Sequence, residues 1–424
     1  MQILIVSSSK LNPDETFYST FELTQAKQLA QTYKVAILAV RVADDILGSG
    51  SRALLRRAVT APTRVNLKPL GKLARNLAKH WCGVRCTNVY RIEGVPVYEA
   101  VSSRSVFERS FEAHLDVWIR AAFSAFKEYR AAHGNPDLVH AHGRFLNGGA
   151  FALKLKTMVG IPYIYTEHSS YYHRGIAPPG TKPILKRIIE NAAGYSAVSP
   201  FLAESVSRYI GSPLREANIL ANVLDEIYQR EPLRAPPSGA PFIFMNIATL
   251  YDHKGVDFLL KAFKEAFQGQ HGYTLKLCGG GPREEELRRL ASTLGMSEQV
   301  QFLGQLSKPE VLRHIDNAHT IVLSSRIETF GVALIEALAR GRPVIATRCG
   351  GPTSIVKPSM GLLVDVDSVS QMAGALRRMA TDAQKYDGAA IRNSALESYG
   401  ADAFRKNVAS MYGIALSDAR RSGA

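Results

Sequence analysis

The chain has 424 residues and a formal charge of +15 at pH 7, a length too great for one compact core, so two domains are the default. With no low-complexity tract and no apolar run long enough to cross a bilayer, the disordered, fibrous and membrane-spanning classes fall away. The positive charge is not interleaved with aromatic residues and no recognition motif accompanies it, so no nucleic-acid partner is expected.

Ile3 to Val6 reads as a strand, and the opening Met1-Gln2-Ile3-Leu4 lacks the basic and extended apolar regions of an export signal, so a cytoplasmic location is expected. A polar loop follows, then helical spacing from Thr20 through Leu29 and a second strand, Val35 to Val40, making a βαβ unit. Ser51 to Ile92 holds ten Lys or Arg and no acid. Within it Leu70, Leu73, Ala74, Leu77 and Trp81 share one helical face and Lys72, Arg75 and Lys79 the other. Such a helix suits an anionic membrane surface, making the protein peripheral. It equally suits a core-facing helix with a solvated basic side.

A helix is expected from about Phe111 to Arg130, then a strand through Leu138-Val139-His140-Ala141-His142, a helix near Asn147 to Val159, and a strand from Ile161 to His168. A helix near Lys182 to Ala192 and a short strand, Tyr195 to Ser199, close the first half. Pro232 to Gly239 has the composition of a linker. The second half restarts with a strand, Phe242 to Ala248, a turn containing Lys254-Gly255, and a helix through Phe267. Strands at 273–278, 300–304, 320–323, 343–347 and 361–364 alternate with helices, as in a doubly wound α/β domain. Cysteines 82, 86, 278 and 349 lack metal-site spacing and read as buried or incidental thiols.

The most informative stretch is Ser325-Arg326-Ile327-Glu328-Thr329-Phe330-Gly331-Val332-Ala333-Leu334-Ile335-Glu336. A strand leads into it, a helix of good formers follows, and Gly341 with Pro343 ends that helix. The helix N-terminus then lies at the carboxyl edge of a sheet, where free amides and the dipole favour anions. Gly331 permits close backbone approach. Glu328 and Glu336 suit hydroxyl donors, so a phosphate seat bordered by hydroxyl acceptors would take a sugar nucleotide. On the plainer alternative, Glu328 complements the dipole and Glu336 is a solvated face residue.

Glu-x7-Glu with Phe-Gly after the first acid resembles the retaining GT-B glycosyltransferases of family 4, the glycosyl transferases group 1. The paired strands "PDLVHAH" and "IPYIYTEH", the Lys254-Gly255 turn and "Asn-Val-Leu-Asp" at 222–225 fit the same family. The resemblance implies two Rossmann-like domains facing across a cleft: an acceptor-side domain over 1–225, a donor-binding domain over 240–398, and a helix within 400–424 crossing back. Thr249 stands where the family carries an arginine, and Phe17 to Phe21 where it often carries Gly-Gly. Arg348 is a candidate substitute for the missing cation, and His173 and Arg174 for the acceptor side.

The implied activity is transfer of a sugar from a nucleotide-diphosphate donor with retention of configuration. His168 and Glu328 would be the catalytic residues. Thr249, Lys254, Thr329, Phe330, Gly331 and Glu336 would bind the donor. No Asp-x-Asp metal site is read, so no essential divalent cation or other cofactor is expected, and the donor is itself a substrate. The acceptor would be a saccharide, lipid-linked if residues 51–92 meet a membrane, in polysaccharide or lipopolysaccharide assembly. A nucleotide-sugar epimerase and a non-catalytic sugar-binding protein are the competing readings.

Overall fold

The computed structural model describes residues 1–7, 20–43, 84–103, 110–143, 146–211, 217–239 and 241–422. The first loop at 8–19, the amphipathic segment at 70–81 and Cys82 lie outside these residues. Along the described chain β1 spans Gln2–Val6, β2 Lys34–Ala43, β3 Val84–Ile92, β4 Val95–Ser103, β5 Leu138–Gly143, β6 Tyr163–Glu167, β7 Gly194–Ala197 and β8 Asn218–Ile219. They form an eight-stranded sheet in the order β3-β4-β2-β1-β5-β6-β7-β8. All neighbours are parallel except the β3–β4 pair.

That antiparallel pair differs from the expectation, in which 84–92 is only the end of the basic segment. Glu93 and Gly94 join the strands with φ of 48° and 86°, the two positive values that a tight twisted hairpin turn requires. The central strands are continuous apolar runs because helices cover both faces. β5 and β6 are buried along their whole length.

The second sheet comprises β9 Phe242–Ile247, β10 Tyr273–Cys278, β11 Val300–Gly304, β12 Thr320–Leu323, β13 Val344–Thr347 and β14 Gly361–Val364. Its order is β11-β10-β9-β12-β13-β14, parallel throughout. Two Rossmann-like lobes therefore make a GT-B architecture. Strand order reverses between β1 and β5 in the first lobe and between β9 and β12 in the second, and sites form at the carboxyl ends beside such reversals.

Two features tie the lobes together. Buried Arg340 binds Asp316 through two contacts of 2.7 and 3.0 Å and donates to the carbonyls of Glu231 and Pro232. Arg342 reaches the carbonyls of Arg234 and Ala235, so the polar linker is held along its backbone. The helix Ala401–Ser422 returns to the first sheet, where Phe404, Val408, Met411 and Tyr412 share one core with Ile3, Ile5 and Ile37. Among the described residues no helix is long and apolar enough to cross a membrane. Cys278 and Cys349 are buried free thiols.

Candidate active site

The loops after β9 and β12 flank the strand reversal of the second lobe, and backbone geometry locks them together. Asp252–Lys254 forms one 3₁₀ turn, ended by Gly255 at φ 61°. A Cβ at Gly255 would lie 2.2 Å from the Ser324 carbonyl oxygen, so the position demands glycine on two counts. The Ser324 hydroxyl donates to the Lys254 carbonyl at 2.9 Å. Lys254 is thereby aimed at Glu328, and Nζ lies 2.6 Å from Oε2.

Burial alone would raise the Glu328 pKa. The charge and hydrogen bond of Lys254, with an amide hydrogen bond from Phe330, outweigh it and hold the carboxyl below its ordinary value. Three residues on, the helix Val332–Ala339 starts from Gly331 at φ 112° with no side chain capping it. Its first amides are free to meet an anion.

Glu336 is half-buried rather than on a solvated face. Burial pushes its carboxyl up to about 8, reinforced by Asp225 and opposed by Lys308 and by the Tyr228 hydroxyl that donates to it. Lys308 pairs with Asp225 at 2.5 Å. Tyr228, Asp225 and Lys308 around Glu336 are contacts that sequence spacing did not reveal.

Thr249 is exposed at the end of β9 and brings no cation. Arg283 is occupied by Glu286, Asp252 and Asp257, Arg326 by Asp257 and Asp367. Arg348, the candidate substitute, pairs with exposed Asp365 at 3.2 Å. Asp365 and Asp367 have Asp-x-Asp spacing. Each faces an arginine, however, which neutralises the charge a cation would need.

The first lobe meets this surface at Thr329. The Ser199 hydroxyl donates to the Thr329 carbonyl at 2.6 Å, and the Thr329 hydroxyl donates to the His168 carbonyl at 3.3 Å. His168 Nε2 lies 2.9 Å from His142 Nδ1, and Phe21 packs on its ring at 4.3 Å between centroids. Burial, with a contribution from His140, holds the His168 pKa near 3, so the ring is neutral. His140 bonds Tyr412 and Thr166 in the interior, as a structural residue does.

Glu167, passed over in the sequence, is fully buried. It accepts from the hydroxyls of Tyr165 and Tyr172 and the amides of His168 and Ser169 at 2.6 to 3.1 Å. Burial pushes its carboxyl to about 7 against those donors. Beside Thr329 a cleft of about 720 Å³ opens between the lobes, with His173 and Phe201 on one wall and Arg348, Gly350 and Ser354 on the other.

An uncapped helix start, a lysine, two acids and, from the other lobe, a neutral histidine can hold an anion and order hydroxyls around it; the cleft itself is lined by other residues. The model of the family Glycosyl transferases group 1 matches residues 230–395, and that of Glycosyltransferase Family 4 matches residues 70–226. Each lobe thus matches a glycosyltransferase model, and it is the second lobe that matches the group 1 family. This glycosyltransferase is 28% identical over 291 residues to D-inositol 3-phosphate glycosyltransferase 1 of Catenulispora acidiphila, covering 63% of the chain and 68% of that protein. In fold it resembles the lipopolysaccharide outer core galactosyltransferase WaaB, with TM-score 0.65 and 18% identity over 97% of this chain and 99% of that one. It resembles HepE of Anabaena solved with UDP-glucose equally, with TM-score 0.65 and 16% identity over 97% and 100% of the two chains. In this glycosyltransferase Lys254, Glu328, Thr329, Phe330 and Gly331 gather beside His168. Glu336 faces Tyr228.

Proposed function

We propose that the chain transfers a hexose-like sugar from a nucleoside-diphosphate sugar to a saccharide acceptor with retention of configuration and without a metal ion. Residues 240–398 bind the donor, residues 1–225 face the acceptor, and the helix within 400–424 supports the acceptor side. The observation that carries the reading is the Lys254–Glu328 pair at 2.6 Å, set against an uncapped helix start at the strand reversal.

The bond between the anomeric carbon and the donor phosphate oxygen breaks, and charge grows on the diphosphate. Lys254 and the amides of the 332–339 helix stabilise it in place. Glu328, kept ionised, accepts from sugar hydroxyls. Glu336 accepts from the ribose. His168, neutral, donates or accepts a hydrogen bond and does not act as a cation. The acceptor oxygen bonds the anomeric carbon on the face the diphosphate leaves, and its proton passes to the departing phosphate. Glu167 has no exposed surface, so this neighbouring carboxylate cannot attack the anomeric carbon as a glycosidase nucleophile does.

The galactosyltransferase and UDP-glucose neighbours support a nucleotide-sugar donor, and an acceptor in cell-surface polysaccharide or lipopolysaccharide assembly is the proposal that follows. A lipid-linked acceptor would be met at the membrane through residues 51–92 of a peripheral cytoplasmic protein. The test is a panel of UDP-, GDP- and ADP-sugars, read as thermal stabilisation by a bound ligand and as sugar transfer. Glu328→Gln should fold with an unchanged transition midpoint and lose about 100-fold or more in kcat, as removal of one preorganised group typically does. Unchanged turnover in that variant, or donor turnover without any acceptor, sinks the transferase reading.

A further inference from the structure

A departing nucleoside diphosphate carries more than one negative charge, yet in the second lobe one lysine faces it, already engaged by Glu328. The neighbouring arginines 283, 326 and 348 each have carboxylate partners. Arg174 differs. It ends the short helix Tyr171–Arg174 that follows β6, and it is half-buried. Its backbone amide donates to the Ser170 carbonyl at 3.0 Å, but among the described residues its guanidinium pairs with no acceptor. A guanidinium has five donors and never loses its charge at physiological pH. The residue is half-buried, and among the described residues its donors have no acceptor within the protein.

Its location is tightly bounded. The stretch that carries it leaves β6 at His168, whose carbonyl meets the Thr329 hydroxyl at the head of the 332–339 helix. The residue before it, His173, lines the interlobe cleft opposite Arg326 and Gly350. Its charge is felt by His253 of the second lobe, the neighbour of Lys254. Burial, then Lys254 and Arg174, hold that imidazole near a pKa of 4.

Resting on the donor reading above, we propose that Arg174 reaches across the cleft to the donor diphosphate and supplies from the first lobe the second cation that is missing at Thr249. A planar guanidinium can take two phosphate oxygens at once. Because the two cations sit on different lobes, the leaving group is fully neutralised only when the lobes are together. Cleavage of the donor is thereby coupled to closure over the acceptor.

The test measures binding of UDP, GDP and ADP, and of the matching monophosphates, by calorimetry on the full chain. In Arg174→Ala the diphosphate that binds best should weaken about tenfold or more and its monophosphate less than about threefold, since a charged contact is removed from the outer phosphate. Arg174→Lys should fall between. The double variant Arg174→Ala with Thr249→Arg should return to within about threefold of the parent, because the cation is restored from the other side. The unliganded midpoint of Arg174→Ala should not move, as no internal partner is lost. Parent-like diphosphate affinity in Arg174→Ala overturns the proposal. So does a loss confined to the acceptor KM, which would assign Arg174 to an anionic acceptor, or a lowered unliganded midpoint. If the parent chain binds none of the three diphosphates, the donor reading itself falls first.

Discussion

Glu328 and Glu336 sit on one short stretch yet take opposite charge states, because their surroundings differ. Lys254 and an amide keep the first ionised, while burial carries the second up to about 8. The folded chain therefore holds a proton on Glu336 between its ordinary carboxylate value and 8 that the unfolded chain has released. That stability is complete at low pH and is lost as pH rises through 8. Glu167, at about 7, acts in the same direction. His168, depressed to about 3, acts oppositely: its contribution is complete above the ordinary imidazole value and is lost as pH falls towards 3. Above about pH 6.5 the carboxyls alone remain, so the unfolding midpoint should fall from there to pH 8, and fall less in Glu336→Gln. An identical slope in that variant would place the titration elsewhere. His142 adds a second expectation. Among the described residues its Nε2 is buried without a partner, and a stranded acceptor is tolerated better than a stranded N–H. The proton then sits on His142 Nδ1 and is donated to His168 Nε2, leaving the His168 proton on Nδ1. Nitrogen NMR of the histidine rings reads that tautomer directly.

The element that positions the lysine is the turn ending at Gly255, and it is intolerant of a side chain. Gly255→Ala puts a Cβ against the Ser324 carbonyl in a left-handed conformation, which costs on the order of 1–3 kcal/mol. Chemical denaturation should show that loss, and nucleotide affinity should fall with it as Lys254 shifts. Most elements of this kind were legible in the sequence. β5, β6, β9, β10, β12 and β13 are apolar runs bounded by turn residues, and the helices between them keep a regular apolar spacing. The β3–β4 hairpin was not, because β3 lies at the end of a strongly basic segment and mixes apolar and polar side chains. The helix Pro200–Ile210 was also unread, although Ser199 caps it through a 3.2 Å bond from the Leu202 amide and proline begins it. That start signal was present, and Leu202, Val206 and Ile210 follow it at helical spacing.

At the scale of the molecule, two buried arginines and one returning helix hold the lobes in place. Arg340→Ala would leave Asp316 buried without its main partner and free the linker carbonyls, a loss on the order of 3–5 kcal/mol. The measurement is equilibrium denaturation, and a loss under about 1 kcal/mol, the range of an exposed pair, would show the linker is held otherwise. The returning helix predicts a harsher outcome. Deleting residues 401–422 uncovers the apolar face around Ile3, Ile5 and Ile37, and the shortened chain should aggregate, as an unfilled apolar surface of that kind does.

By itself the sequence determined the alternation of strand and helix, the two-lobe plan, and the acids, lysine and glycine around residues 254, 328 and 331. These are local properties: period, turn chemistry and spacing lie within a few residues of one another. Only the tertiary structure decided which charges remain available. Arg348 is paired with Asp365, burial raises the Glu336 carboxyl beside Tyr228, and Glu167 is sealed inside. Arg174, from the opposite lobe, has no acceptor among the described residues. Each outcome depends on partners more than twelve residues away or on depth from solvent, and neither burial nor long-range pairing is written in the local order of side chains.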